Sequence, residues 1–460
     1  MTKLNGWKTS CFLLMLSTVT AIAAPAQTYT DLYNFRLTGG ADPRGVLAQG
    51  RDGNLYSTTP TGGDSGSKEC KPSLCGVLFQ LTPTGAYSDL FNFDYVHGSV
   101  PFGGLTLGTD GRFFGTTNEG GASGYGTIFK GTTNGGVSLY SFTGGFGEGG
   151  NPSAPPIEGS DGYFYGVTSK FSDFPGVSYR ISSSGIFVPI GQIPGYSDAP
   201  LLQASDGNFY GTTYPTLNEG ENSVFQMTTY GVATMIHTFN GGDGENPFSP
   251  VIQASDGVLY GTTSGGGHGN GVVFRLTLQG AFSVLHYFGD IRNDGTAPHA
   301  GLVQATDGNI YGVTSAGGTA GKGVIFRIAQ NGVYSILYNF DGMHGAAPYS
   351  TPVQHTNGKI YGLASAGGTS GNGVAYSFDL ALGPFVKLVP TVGIIGQTGG
   401  ILGQGFTGTT NVSFNGTSAS FRVVSDTYLT ATVPPGATTG YVSVTTPTGT
   451  LTSNVPFVIP

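Results

Sequence analysis

The chain has 460 residues, of which only 10% are charged, with 81 glycines, one tryptophan and a formal net charge of −8. An acidic chain without clustered Lys and Arg is a poor partner for nucleic acid, whose phosphates require such clusters. The glycines follow no three-residue period and are interleaved with β-branched and aromatic runs, which excludes collagen-like and low-complexity classes and points to a packed β protein rich in turns.

Residues 1–26 read as a signal peptide: Lys3 and Lys8 give the positive start, Cys11 to Ala23 the apolar stretch, and Ala24-Pro25-Ala26 a small-x-small cleavage site. Cleavage starts the mature chain near Gln27 and removes Lys3, Lys8 and Trp7, taking the formal charge from −8 to −10. Polar Lys8-Thr9-Ser10 before Cys11 does not fit a lipobox. No later apolar run approaches the ~20 residues that span a bilayer, so the expectation is an exported protein, secreted or at the cell surface, without a transmembrane segment. Cys70 and Cys75 are expected to form a disulfide across Lys71-Pro72-Ser73-Leu74, in keeping with an oxidising location. So short a loop restrains the unfolded chain by only roughly 2 kcal/mol. No metal is expected there, because no nearby His or third Cys completes a zinc set.

From here an internal repeat governs the chain. An Asp-Gly or Asn-Gly turn recurs at Asp52, Asp110, Asp161, Asp206, Asp256, Asp307 and Asn357, with spacings of 58, 51, 45, 50, 51 and 50 residues. A period of that size holds one four-stranded propeller blade. The order is clearest around Asp256: strand A in Val251 to Ser255, a two-residue turn with positive φ values, strand B in Val258 to Thr263, a glycine-rich loop, strand C in Gly271 to Leu276, and strand D in Ala281 to Phe288. No segment sustains a helical apolar period. Strand B supplies Tyr56, Phe114, Tyr165, Tyr210, Tyr260, Tyr311 and Tyr361, and strand C supplies Phe79, Phe129, Tyr179, Phe225, Phe274, Phe326 and Tyr376. Each such ring is worth about 1.5 to 3 kcal/mol when buried, so the recurrence reads as packing rather than as a stacking array for a ligand.

The expected fold is therefore all-β, a seven-bladed β-propeller followed by an immunoglobulin-like β-sandwich. Thr28 to Phe35 matches strand D of the first and sixth units, so the N-terminus is expected to complete the last blade and close the ring; a weaker alternative uses Phe385 to Leu388. The expected boundaries are 27–384 for the propeller, 385–389 for a linker and 390–460 for the sandwich.

Gln203-Ala204-Ser205-Asp206-Gly207-Asn208-Phe209-Tyr210-Gly211-Thr212-Thr213 and its counterparts resemble the bacterial tandem repeat called GloVer, over nearly all of residues 28–384. The third unit departs most, with Glu158 where most units have Gln and Phe171-Ser172-Asp173-Phe174-Pro175 in place of the glycine-rich loop. The resemblance implies a surface or secreted location and carries over no catalytic residues. Gly403-Gln404-Gly405-Phe406, Val412 to Gly416, Ala431-Thr432-Val433-Pro434 and Gly440 to Val444 resemble an IPT/TIG domain, which implies a binding or spacer module.

Strand order places the A–B and C–D turns on one face and the B–C and D–A loops on the other, so a ligand site is expected on the loop face around the channel mouth. The repeated turn aspartates are explained by turn geometry. Glu219, Glu221, Asp243, Glu245, Asp290 and Asp294, together with His268, are the candidate ligand-binding residues, being specific to their units. Asp243-Gly244-Glu245-Asn246 lacks the calcium-loop pattern, His237 and His286 occupy aromatic packing slots on strand D, and Gln49, Gln203, Gln253, Gln304 and Gln354 fit either a ring of channel amides or bonds between blades. No cofactor is expected. The sequence favours a noncatalytic scaffold for a polysaccharide or a surface protein over an extracellular carbohydrate-active hydrolase or lyase, which needs a converging acid and base.

Overall fold

A computed structural model describes residues 27–64, 66–70, 75–132, 135–145, 147–169, 176–215 and 220–459. The expected signal peptide, Glu219 and the third-unit segment 171–175 lie outside the described residues. The described chain is nearly all β, a repeat β-propeller with one 3₁₀ turn at Leu37–Gly39. Seven four-stranded sheets occupy the repeat region. In the fifth, the strands are Ile252–Gln253, Leu259–Thr263, Val272–Leu276 and Phe282–Tyr287, each antiparallel to the next.

The A–B turn differs from the expected one. Only Gly257 has positive φ, at 79°; Gly257 N–H donates to the Ala254 carbonyl and Ala254 N–H to that of Val258. This is a type I turn closed by a glycine in the left-handed region, the geometry of a longer hairpin loop. Asp256 has a second duty there. One carboxylate oxygen accepts from Val258 N–H and the other from the Tyr260 hydroxyl at 2.7 Å. The same Asp–Tyr bond recurs at Asp52, Asp161, Asp206 and Asp307, which explains why Tyr stands four residues after the turn. Gly261 follows because a Cβ there would lie 2.5 Å from the Phe274 ring.

Neighbouring sheets meet through rings. Tyr33 stacks on Tyr87 and Tyr29 on Tyr338, both at 4.0 Å, and Tyr140 stacks on Phe187 at 4.1 Å. His237 on Phe282 (3.8 Å) and His286 on Tyr334 (3.7 Å) take the same role, so these histidines do replace packing aromatics. Between the third and fourth sheets a glycine contact stands in this place: a Cβ on Gly191 would lie 2.2 Å from the Gly231 carbonyl. The N-terminal strand Thr28–Asn34 pairs with Val374–Asp379 and forms the outer strand of the last repeat sheet, so Phe385 to Leu388 does not.

The five glutamines hydrogen-bond between sheets. Gln253 accepts from Ser205 N–H, Gln304 from Ser255 N–H, Gln354 from Thr306 N–H, Gln203 from Ser160 N–H and Gln49 from Thr356 N–H. Glu158 accepts from Thr109 N–H and its hydroxyl at 2.7 and 2.6 Å. These bonds account for the repeated side chain without a ligand.

Beyond the repeats, two further four-stranded sheets enclose an apolar core that includes Leu388, Ile401, Phe406, Val412, Leu429 and Val444. Residues 385–389, expected as a linker, include the strand Lys387–Val389, because Val386 and Leu388 are buried in that core. This C-terminal region rests on the A–B turns: Thr427 donates to the Arg51 carbonyl at 2.7 Å, the Arg51 guanidinium lies 4.4 Å from the Tyr428 ring centre, and Gln404 donates to the Thr356 hydroxyl at 2.9 Å.

Candidate functional site

At the opposite, loop-bearing end of the channel lies a cavity of about 470 Å³ to which every repeat contributes. The contribution is regular. Each chain segment entering an innermost strand carries a side chain five residues before the Gln position, and six of these seven follow a proline: Arg44, Phe102, Ser153, Phe248, His299 and Tyr349 after proline, and Asp198 after Ser197. All seven line the cavity. The repeat fixes their position and leaves their chemistry free, so one frame presents six kinds of side chain at seven positions around one opening, phenylalanine occurring twice.

They fall into two arcs. Arg44 lies over the Tyr349 ring at 4.7 Å, Tyr349 and His299 are 5.0 Å apart, and His299 stacks on Phe248 at 5.7 Å. Phe248 meets Tyr214 edge-on at 4.7 Å, and the Tyr214 hydroxyl donates to Asp198. Asp198 also accepts from Ser169 at 2.9 Å, and Ser169 shares a hydrogen bond with Ser153 at 2.9 Å. The Arg44 Nε–H is shared by both carboxylate oxygens of Asp42, each at 2.9 Å. His299 Nδ1 is 3.0 Å from the Ala297 carbonyl, which only an N–H can use, so the acceptor nitrogen is Nε2. Burial, reinforced by the Arg44 charge, holds this imidazole below the ordinary histidine range, while burial and the Asp198 carboxylate push the Tyr214 phenol up.

The unit-specific acids lie elsewhere. None of Glu221, Asp243, Glu245, His268, Asp290 or Asp294 lines this cavity. Asp243 sits 3.2 Å from His237, and His268 pairs with Asp290 at 2.7 Å on the exposed surface. Asp294, 5% exposed, accepts from His286 at 2.9 Å and Tyr334 at 2.8 Å; burial opposes its charge, yet these bonds hold its carboxyl below the usual range. Glu221 and Glu245 are exposed. Thus only His268 and Asp290 come together by themselves, and Asp243 and Asp294 are engaged by strand D histidines. The Cys70–Cys75 disulfide is formed, with a Cα separation of 5.0 Å. Among the described residues no group of three or more His, Cys, Asp or Glu is placed to hold a metal ion. No helix among them is long and apolar enough to cross a membrane.

Asp198 is the one acidic residue among the described residues lining the mouth. A glycosidase of the usual kind needs two carboxyl groups roughly 5 to 10 Å apart. The mouth instead offers ring faces beside hydrogen-bonding groups, the composition of a binding pocket.

The model of the Gloeobacter/Verrucomicrobia repeat matches residues 16–178 and 196–424. No curated protein matches the chain. Among solved structures, the extracellular domain of a protein assigned to the hybrid two-component systems of B. thetaiotaomicron is similar in fold, with 12% identity and a TM-score of 0.50 over 94% of this chain and 58% of that one. The chain thus spans less than two thirds of that relative's length. The WD40 β-propeller domain of Doa1 matches at 11% identity and a TM-score of 0.48, over 77% of this chain and 97% of that one. An oligogalacturonate lyase in complex with manganese matches at 13% and 0.47, over 77% and 96%. With most of its length matched by the family model, the chain belongs to the Gloeobacter/Verrucomicrobia repeat family.

Proposed function

We propose that this protein is an exported, noncatalytic binding scaffold: a seven-bladed propeller of residues 27–384 that seats its ligand in the loop-face mouth, joined to an immunoglobulin-like module of the IPT/TIG kind. The observation that carries this reading is the convergence of seven side chains of six kinds, one per repeat, on a single opening. Tyr349, His299 and Phe248 offer ring faces, and Arg44, Asp198 and Ser153 offer polar groups, which suits the apolar face and hydroxyl rim of a sugar in a surface polysaccharide. The single mouth carboxylate disfavours the hydrolase reading. An extracellular or cell-surface location is part of the proposal and agrees with the sequence of residues 1–26.

Affinity electrophoresis through a panel of soluble polysaccharides, with assay of the same mixtures for new reducing or unsaturated ends, tests this function. The expected result is retardation by one polysaccharide class without new ends. New ends that vanish on Asp198→Asn would make the protein an enzyme and overturn the proposal.

A further inference from the structure

The channel contains a second cavity, of about 380 Å³, at the end where the C-terminal region lies across the A–B turns. Val46 lines both this cavity and the mouth, so the two follow one another along the channel. The inner cavity's walls are innermost strands, including Gln49, Thr106 and Glu158, and its cover is the segment from Lys387 to Val392. Lys387 belongs to a strand whose next residue, Leu388, is buried in the C-terminal core. Side chains alternate along a strand, so Lys387 faces the channel.

This ammonium has no ion-pair or hydrogen-bond partner among the described residues, whereas Lys359, likewise half-buried, has Asp379 at 2.9 Å. Burial is the sole influence on Lys387, and it pushes the amine below the ordinary lysine range with no carboxylate to offset it. The acid in the same cavity, Glu158, is already engaged by the Thr109 N–H and hydroxyl, and burial pushes its carboxyl up. The glutamine amides are committed too: Gln49 donates to Thr356, and Gln203 to Ser160 and Gly207. Lys387 is half-buried, and a partly desolvated cation without a counter-charge is stabilised by an anion that joins it.

We propose that the inner end of the channel is a binding site for the carboxylate of a small monoanionic ligand, anchored by the Lys387 ammonium. One ammonium balances one negative charge, which favours a carboxylate over a doubly charged phosphate or sulfate. The charge-assisted bond forms in a partly desolvated cavity, where it is stronger than at a fully exposed lysine. Thr106, whose hydroxyl makes no other hydrogen bond among the described residues, lines the same cavity and is available to the second carboxylate oxygen or to a hydroxyl of the ligand. The site does not depend on what the mouth binds, since its driving force is a charge and not a stack of rings.

The test is calorimetric titration of the full mature chain with sodium acetate and sodium glucuronate, with glucose as the neutral control and ionic strength held constant. The wild type and Lys387→Arg are expected to bind at least one carboxylate, glucose is expected not to bind, and Lys387→Met is expected to lose at least ten-fold in affinity. Lys322→Met, which removes an exposed lysine, should leave carboxylate binding unchanged. Thermal unfolding of Lys387→Met in anion-free buffer checks the fold, with a midpoint expected at or above that of the wild type because a half-buried, unpaired charge has been removed. Equal carboxylate affinity in Lys387→Met, or no binding of either carboxylate by the wild type, would overturn the proposal. Carboxylate binding that survives Phe248→Ala but not Lys387→Met would separate this site from the mouth.

Discussion

The innermost strand of each repeat has two ends, and the chain treats them in opposite ways. At the turn end stands a glutamine in five of seven units, Gln49, Gln203, Gln253, Gln304 and Gln354, each bonded to the preceding sheet. Five residues earlier stand Arg44, Asp198, Phe248, His299 and Tyr349, no two alike, and all face the mouth cavity. Sameness at one end follows from the closing geometry of a ring, where six of the seven interfaces use the same kind of bond, Glu158 standing for glutamine at one of them. Difference at the other end means that the architecture places no demand on the side chain there. A position that is fixed in space and free in chemistry is where recognition can be built without cost to the fold.

That contrast can be broken by experiment. Gln304→Leu leaves the Ser255 N–H and the Gly308 carbonyl without their partner, and should cost about 2 to 3 kcal/mol in urea unfolding. The same measurement on Tyr349→Ala should show a much smaller change, while affinity for the mouth ligand falls about ten-fold, or ~1.4 kcal/mol. Two tyrosines sharpen the point further. Tyr260→Phe removes a hydroxyl bonded to Asp256 and should destabilise by about 1 kcal/mol. Tyr376→Phe removes a buried hydroxyl that has no hydrogen-bond partner, and thermal unfolding should find it neutral or stabilising.

The smallest expected effect is at Glu158, one of the two residues, with Leu107, that stand in place of the repeated glutamine. Burial raises its carboxyl above the ordinary value of 4.5, so the folded state prefers the protonated form. The stability it contributes is fully present below the unfolded-state value and is lost as pH rises through the raised folded value. Glu158→Gln should therefore flatten the stability curve in that window and add about 0.5 to 1 kcal/mol at neutral pH, as read from urea midpoints at pH 4 to 7.

Much of the architecture was legible because repetition exposes it. The turn aspartates and the rings of strands B and C gave the period and the strand order, and Thr28 to Phe35 declared itself a strand D by matching Val333 to Phe340. The linker was misplaced because Phe385 to Val389 is short, and only the packing of Val386 and Leu388 shows which core takes it. The site was less legible for a physical reason. Attention to acids led to Asp243 and Asp294, which are engaged by His237 and His286 through contacts that no motif marks. The mouth residues vary by nature, so a search for recurring residues passes over them. Their signal was positional: the side chain five residues before the glutamine position, which follows a proline in six of the seven units. Tyr214 stands at the repeat position filled by Ser169, Ser264, Ser315 and Ser365 in other units, and only the fold shows that its ring and hydroxyl reach Phe248 and Asp198.

The most direct test of the mouth as the recognition site is a matched alanine scan. Affinity for the retarding polysaccharide would be measured for Phe248→Ala, His299→Ala and Tyr349→Ala against Glu221→Ala, Glu245→Ala and Asp290→Ala, with the unfolding midpoint of each recorded. Losses of ten-fold or more confined to the first three, at preserved stability, are what the account predicts. Losses confined to the outer acids, with the mouth variants binding like the wild type, would contradict it.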